Sequence, residues 1–455
     1  MRNAIGDDDA SAVATAVDML MPELIDGLSR LAAIPSVSAP DFPLKPLEDA
    51  YTDVVRLLES AGLDVTELRV EGKRAPVAIG RAAGPAGAPT VLFYTHYDVV
   101  PAGDEALWRT PAFTPTERDG QIAGRGVADS KANILAIVGA LRVFGGVFPV
   151  NVTVIIEGQE EIGSPFDLYP LSHPELFASD AMVIADVGSL RVGAPTLTVA
   201  LRGSAEVHLE VRTLAGDKHS GQFGGAAPDA RIALMHALAT LHDEHGDVAV
   251  PGLRRERWAG EAYTDEEFRA LSETLAGIPL QGTGGLGERI WSGPAITVTG
   301  FDAPPTTAPM NAVAAHAKAT LNLRVHPRQD AHEAQQALIA HLRAQRPFGI
   351  PLTVTAGEAG NGVAVRTEGA AFDAAKAALT SAWGREPVLA AGGGSIPIVL
   401  ALADGLPDSE QVMFGATDSF AQIHAPNERV LISELRSATL ACALFLTEFA
   451  ARSAQ

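Results

Sequence analysis

Three short apolar runs constrain this chain more than any other feature: TVLFYTH at 90–96, NVTVIIEG at 151–158 and AMVIADV at 181–187. None alternates polar with apolar residues, so none has a wet face. Separated by helical patterns at 10–33, 47–62 and 131–145, they predict a mostly parallel α/β sheet covered on both faces. Each run also ends on chemistry. The first delivers His96 and Asp98, the second Glu160 and Glu161, and the third Asp186; Asp129 in GRGVADSK and His424 in FAQIHAPNE arrive on loops. In an open α/β sheet, sites form at the carboxyl ends of the strands. Acids and imidazoles gathered there suit a divalent metal.

A chain of 455 residues is too long for one ordinary core, so two domains are expected. The pattern changes near residue 203. GSAEVHLEVRT alternates as a half-wet strand does, a helix follows at 228–243, and an irregular stretch runs to about 293. AITVTGF, HAKATLNLRVHP, a helix at 330–345 and PLTVTAG complete a β-α-β-β-α-β order, that of a ferredoxin-like unit. After 365 the α/β style returns. The expected division is 1–202 and 365–455 for one domain, with 203–364 inserted as a second. The 131–145 helix is expected to be capped by Asp129 and Ser130.

The net charge of -21 argues against nucleic acid or an anionic membrane as partner. The one cysteine, Cys442 in ATLACALFL, excludes an internal disulfide and a Cys-based zinc site, and reads as a buried helix residue. MRNAIGDDDASAV lacks the apolar region of a signal peptide, and SIPIVLALA and ATLACALFL are too short to span a bilayer. A cytoplasmic protein is the simplest expectation.

Each candidate also has a plainer reading. His96 and Asp98, two apart on a strand, face the same way: the histidine as metal ligand and the aspartate behind it, or a buried His–Asp hydrogen bond. Asp129 is a ligand or a helix cap. Glu160–Glu161 divides into ligand and free proton carrier, or is a solvated acidic turn. Asp186 is a ligand or a turn former, and His424 a ligand or an exposed loop residue. His219 in DKHSGQFGG is an oxyanion donor or a loop histidine. Arg324 in NLRVHP is a fork for a carboxylate or a surface arginine. The loop AGGGSIP offers backbone N–H groups around Ser395 for an anion. It is not a nucleophile elbow, because Pro397 stands where G-x-S-x-G needs its last glycine.

Together, THYD, GVADSK, EGQEEIG, IADVG and QIHAPNE resemble the co-catalytic di-zinc exopeptidase family of carnosine dipeptidases, aminoacylase and glutamate carboxypeptidases. DKHSGQFGG, TLNLRVHP, GGGSIP and Asp186 are most similar to the carnosinase-type dipeptidase branch. That resemblance implies one metal on His96, Asp129 and Asp186 and a second on Asp129, Glu161 and His424. It implies zinc as the default, with manganese or cobalt also suited to these donors. Glu160 would be general base for a hydroxide shared by the two ions, with Asp98 behind His96. The 203–364 insert would be a lid and dimerisation domain on a catalytic domain of 1–202 and 365–455, and His219 would act in the partner's site of a homodimer. Asn311, Arg324, Ser395 and His424 would hold the substrate. The implied reaction is hydrolysis of dipeptides or short peptides with a free C-terminal carboxylate. The alternative on the same fold is an N-acyl-amino-acid amidohydrolase. A cis peptide between Asp129 and Ser130 is a further family trait.

Overall fold

The computed structural model describes residues 6–394 and 396–454. Ser395 lies outside them, as do residues 1–5, the start of the stretch inspected for a signal peptide. The chain packs as two units. The first comprises Met1–Val199, Val365–Ala390 and Pro397–Gln455, and the second Ala200–Ala364 and Ala391–Ile396.

The first unit is built on a six-stranded sheet. Its spatial order is Asp64–Leu68, Val77–Ala82, Asn151–Glu157, Thr90–His96, Ala181–Ile184 and Glu410–Met413. The last four strands run parallel to one another. The first two join antiparallel, because only a short loop, with no crossover helix, links them. The sheet is thus mixed, with its parallel part at the expected runs. In register, His96 pairs with Glu157 and Tyr94 with Ile184, so the three runs finish at one level.

Helices Asp7–Ala32, Lys45–Ser60, Ala132–Arg142, Ala370–Trp383 and Ile432–Ser453 supply the rest of this core. Residues Ala132–Leu141 are all buried, as expected of a helix apolar on every side. A Cβ at Gly139 would stand 2.6 Å from Leu24 and 2.8 Å from Thr439, so three helices cross closely at this glycine. Cys442 is buried, and burial pushes its thiol up to about 12.

The expected cap is not formed: neither Asp129 nor Ser130 caps the helix at Ala132. Ser130 Oγ instead lies 2.7 Å from Thr95 Oγ1 and donates to Ala185 O at 3.2 Å, while Asp129 turns toward the strand ends. The Asp129–Ser130 peptide is cis.

The second unit holds a four-stranded antiparallel sheet ordered Ala295–Phe301, His316–Val325, Gly203–Arg212 and Thr353–Gly360. The first and third strands of the β-α-β-β-α-β run are central. Helices Ala230–Leu238 and Ala331–Ala344 pack on one face, closing a core around Val207, Leu209, Leu321 and Leu338. The alternation in Gly203–Arg212 is the physical signature of that one-sided cover. The stretch read as irregular contains a helix, Asp265–Leu271, started by a capping box between Thr264 and Glu267. Among the described residues, no helix is long and apolar enough to cross a membrane.

Candidate metal centre

His96 is the last residue of its strand, Glu160 and Glu161 form a single turn just beyond Asn151–Glu157, and Asp186 lies two residues past Ala181–Ile184. With Asp129 and His424 they meet at one point. His96 Nε2 lies 3.0 Å from Asp129 Oδ1 and 3.1 Å from Asp186 Oδ1. His424 Nε2 lies 3.2 Å from Asp129 Oδ2 and 2.9 Å from Glu161 Oε2. The Asp129 carboxylate therefore faces one imidazole with each oxygen. Candidate ligand atoms of His96, Glu160 and Asp186 lie within 4.8 Å of one another, as do those of His96, Asp129 and Glu161. Glu160 is thus within reach of the ligand cluster as well as adjacent to it in sequence.

The electrostatics ask for a cation. Burial pushes the Glu160 carboxyl well above its usual range, and Asp186 adds to this. Burial likewise raises Glu161 to about 7. Hydrogen bonds to Asp129 and Glu161 lift His424 to about 10. Glu161 Oε1 is buried with no hydrogen-bond partner. His96 Nδ1 donates to the Asp98 carbonyl at 3.1 Å, which leaves Nε2 as the lone-pair nitrogen. That nitrogen faces two carboxylate oxygens, an arrangement that needs either a proton or a metal between them. The donor set of carboxylates and imidazole nitrogen fits zinc, manganese or cobalt.

Residues 92–448 match the model of Peptidase family M20/M25/M40. The chain belongs to this family. It is 37% identical over 410 residues to a cysteinylglycine-S-conjugate dipeptidase of Corynebacterium striatum, covering 88% of this chain and 90% of that one. It is 28% identical over 378 residues to a Beta-Ala-His dipeptidase of Rattus norvegicus, covering 78% and 76%. The crystal structure of human carnosine dipeptidase 1 shares the fold, with a TM-score of 0.80 at 24% identity over 97% of this chain and 98% of that one. The resemblance read from the sequence motifs to carnosinase-type peptidases is borne out.

In this M20/M25/M40 chain, the supports behind the cluster include groups that the sequence reading did not single out. Asp98 is fully buried, and its carboxylate accepts from both Glu160 N at 3.0 Å and Glu161 N at 3.2 Å. It therefore pins the acidic turn as well as standing 3.4 Å from His96 Nδ1. Glu428, four residues after His424, is also fully buried. It accepts from Gly126 N at 2.9 Å, Ala128 N at 2.9 Å, Asp129 N at 3.1 Å and Arg125 Nη1 at 2.6 Å. One carboxylate thus ties the His424 loop to the Asp129 turn. Below the acidic turn, buried Glu157 accepts from Tyr94 and Lys73. Buried Lys131 donates to Leu31 O at 3.1 Å and Ile34 O at 2.9 Å.

The remaining candidates belong to the second unit. His219 and Asn311 are brought together: His219 pairs with Ala312 in a short ladder, and Ser220 N donates to Asn311 O at 3.0 Å. Both side chains are exposed. His219 Nδ1 accepts from Gly221 N at 3.1 Å. Arg324 is half-buried on the polar face of its strand.

Proposed function

We propose that this chain hydrolyses the peptide bond of dipeptides and short peptides with a free C-terminal carboxylate, at a pair of divalent cations. The observation that carries the reading is the Asp129 carboxylate, with one oxygen against His96 and the other against His424. Its relatives' names add weight, since both denote dipeptidases.

On this reading, His96, Asp129 and Asp186 hold one cation, and Asp129, Glu161 and His424 the other. Bound there, the cations would lower the pKa of water and polarise the scissile carbonyl. Glu160 takes the proton from the attacking water and returns it to the departing amine. Asp98 fixes the backbone of residues 160 and 161, so the base and its ligand neighbour keep separate directions. His219 supplies a hydrogen bond to the developing oxyanion from the partner subunit of a homodimer. Asn311, Arg324, Ser395 and His424 receive the substrate. Zinc is the expected metal and the cytoplasm the expected compartment.

The test is a panel of dipeptides and N-acetyl amino acids, with zinc, manganese or cobalt added back to metal-free protein. Hydrolysis of dipeptides at least tenfold faster than N-acetyl amino acids is expected. The reverse order would make the chain an N-acyl-amino-acid amidohydrolase.

A further inference from the structure

The turn that carries Glu160 and Glu161 is poorly held by packing. Ile162 is the one apolar side chain between Gly158 and Gly163, and it is 41% exposed. Hydrogen bonds must hold the turn instead, and Asp98 supplies two of them. A buried cation that the proposed mechanism leaves unused supplies others. Lys73 lies in the loop between the strands Asp64–Leu68 and Val77–Ala82. Its side chain and that of Glu157 are wholly buried, and the two form an ion pair. The same ammonium donates to Ser164 Oγ at 2.9 Å. Glu157 ends the strand ahead of the turn, and Ser164 caps the short helix Pro165–Leu168 behind it. One nitrogen thus joins the entry of the turn to its exit.

The residue after Lys73 repeats the arrangement. Arg74 N donates to Gln159 Oε1 at 2.6 Å, and Gln159 Nε2 donates to Gly163 O at 3.3 Å. The loop is itself fixed, since the Arg74 guanidinium donates to Ser38 O at 2.8 Å and Phe42 O at 2.6 Å. The Lys73 ammonium also stands 5.4 Å from the centre of the Phe166 ring. All of these groups belong to the first unit. A buried ion pair is a weak source of stability, because apolar residues of similar volume do as well or better. What the pair supplies here is geometry. It holds the backbone at both ends of a turn whose middle carries the candidate base and a candidate ligand.

We propose that Lys73 is a positioning residue: by joining Glu157 to Ser164 it fixes the span from 158 to 163, and so sets both the aim of Glu160 and the hold of Glu161 on the second cation. Those two effects rest on the dipeptidase reading above. The effect on the order of the turn is independent of it.

The experiment compares wild type, Lys73→Met and the double variant Lys73→Met/Glu157→Gln, each as the full chain. Methionine fills the lysine's place without its charge, and the amide oxygen of glutamine still accepts from Tyr94. The amides of residues 160, 161 and 163 are hydrogen-bonded, so their exchange reports the order of the turn. In metal-free protein, hydrogen exchange read by mass spectrometry should be at least about tenfold faster over 158–164 in both variants, and unchanged over the helix Ala132–Arg142. Calorimetric titration with zinc should show one of the two ions bound at least about tenfold more weakly in both. At saturating zinc, kcat for a dipeptide should fall at least about tenfold with KM little changed. Lys73→Met should melt below wild type, because it strands the Glu157 carboxylate. The double variant should recover most of that loss and none of the other three.

Recovery of exchange, zinc affinity and kcat in the double variant, along with the melting point, would make the pair a support of the fold alone and overturn the proposal. Faster exchange spread equally over Ala132–Arg142 would do the same. Should Lys73→Met fail to fold, the double variant decides by itself: wild-type exchange over 158–164 overturns the proposal, and a local increase supports it. If wild type cleaves no dipeptide at all, the functional reading falls, and exchange in the metal-free protein still decides whether Lys73 holds the turn.

Discussion

Glu160 and Glu428 are both acids beside the same cluster, and they should fail in different ways. Glu160→Gln keeps the backbone bonds to Asp98 and removes only the proton-carrying group. Turnover should drop at least ~10²-fold, while elemental analysis of the purified variant finds the wild-type metal content. Near-normal turnover would remove Glu160 as the base. Glu428→Ala leaves Arg125 and three backbone donors buried without their acceptor. It should cost about 3–5 kcal/mol in denaturant unfolding, and weaken metal uptake by about 10-fold or more. Unchanged uptake with lost stability would make Glu428 a support of the fold alone. The contrast shows what was legible at this scale. His96, Asp129, Glu160, Glu161 and Asp186 follow apolar runs or a glycine-rich turn, so their convergence was readable from where strands end. Glu428 precedes the segment RVLI with no such marker, and its burial depends on a turn three hundred residues away in sequence. Asp98 was read as a partner of His96; its second duty, holding residues 160 and 161, needed the path of the acidic turn.

The elements that carry these residues have their own tolerances. Gly158 separates the strand Asn151–Glu157 from the acidic turn, and a Cβ there would stand 2.1 Å from Tyr97 Cζ. Tyr97 cannot swing aside, because it is buried and its hydroxyl donates to Pro76 O at 2.8 Å. Gly158→Ala should therefore cost about 1–3 kcal/mol and, by displacing the turn, reduce bound metal in elemental analysis. Full metal content would show that the turn absorbs the clash. In the second unit, Asp247 accepts from Thr283 and Arg255 and ties together the long stretch between strands. The Thr283 and Arg255 hydrogen bonds hold its carboxyl at about 2. A folded pKa below the unfolded one means full stabilisation above 3.8, lost as pH falls toward about 2. Asp247→Asn should thus melt below wild type near neutral pH, with the gap closing as acid is added. A gap unchanged down to pH 2 would assign the effect to hydrogen bonding rather than charge. Strands and long helices were legible because their periods are strong. The helix Asp265–Leu271 was missed although Thr264 and Glu267 spell a capping box, since only two short turns follow it. The cap assigned to Asp129 and Ser130 failed because both side chains are engaged elsewhere, Asp129 against His96 and His424, Ser130 against Thr95 and Ala185 O.

For the whole molecule, the return of α/β patterning after residue 365 made an insertion visible, because the second unit's alternating strands differ in kind from the near-continuous apolar runs of the first. What no linear pattern reveals is charge balance, which appears only once the fold gathers its acids. Around the strand ends, Asp98, Asp129, Glu160, Glu161 and Asp186 crowd together, with His96 and His424 set directly against them. A fold that accepts such crowding trades stability for a site, and ions bound only by the folded state give part of it back. At a hundredfold excess over Kd, each would add about 2.7 kcal/mol by mass action. Chelation should accordingly lower the melting temperature by several degrees, and zinc should restore it, with calorimetric titration saturating at two ions per chain. Saturation at one ion would deny Asp129 its bridging place. Its two oxygens, one turned to each imidazole, would then be a hydrogen-bonded pair of histidines around an acid, and the hydrolytic reading would have to be rebuilt on a single cation.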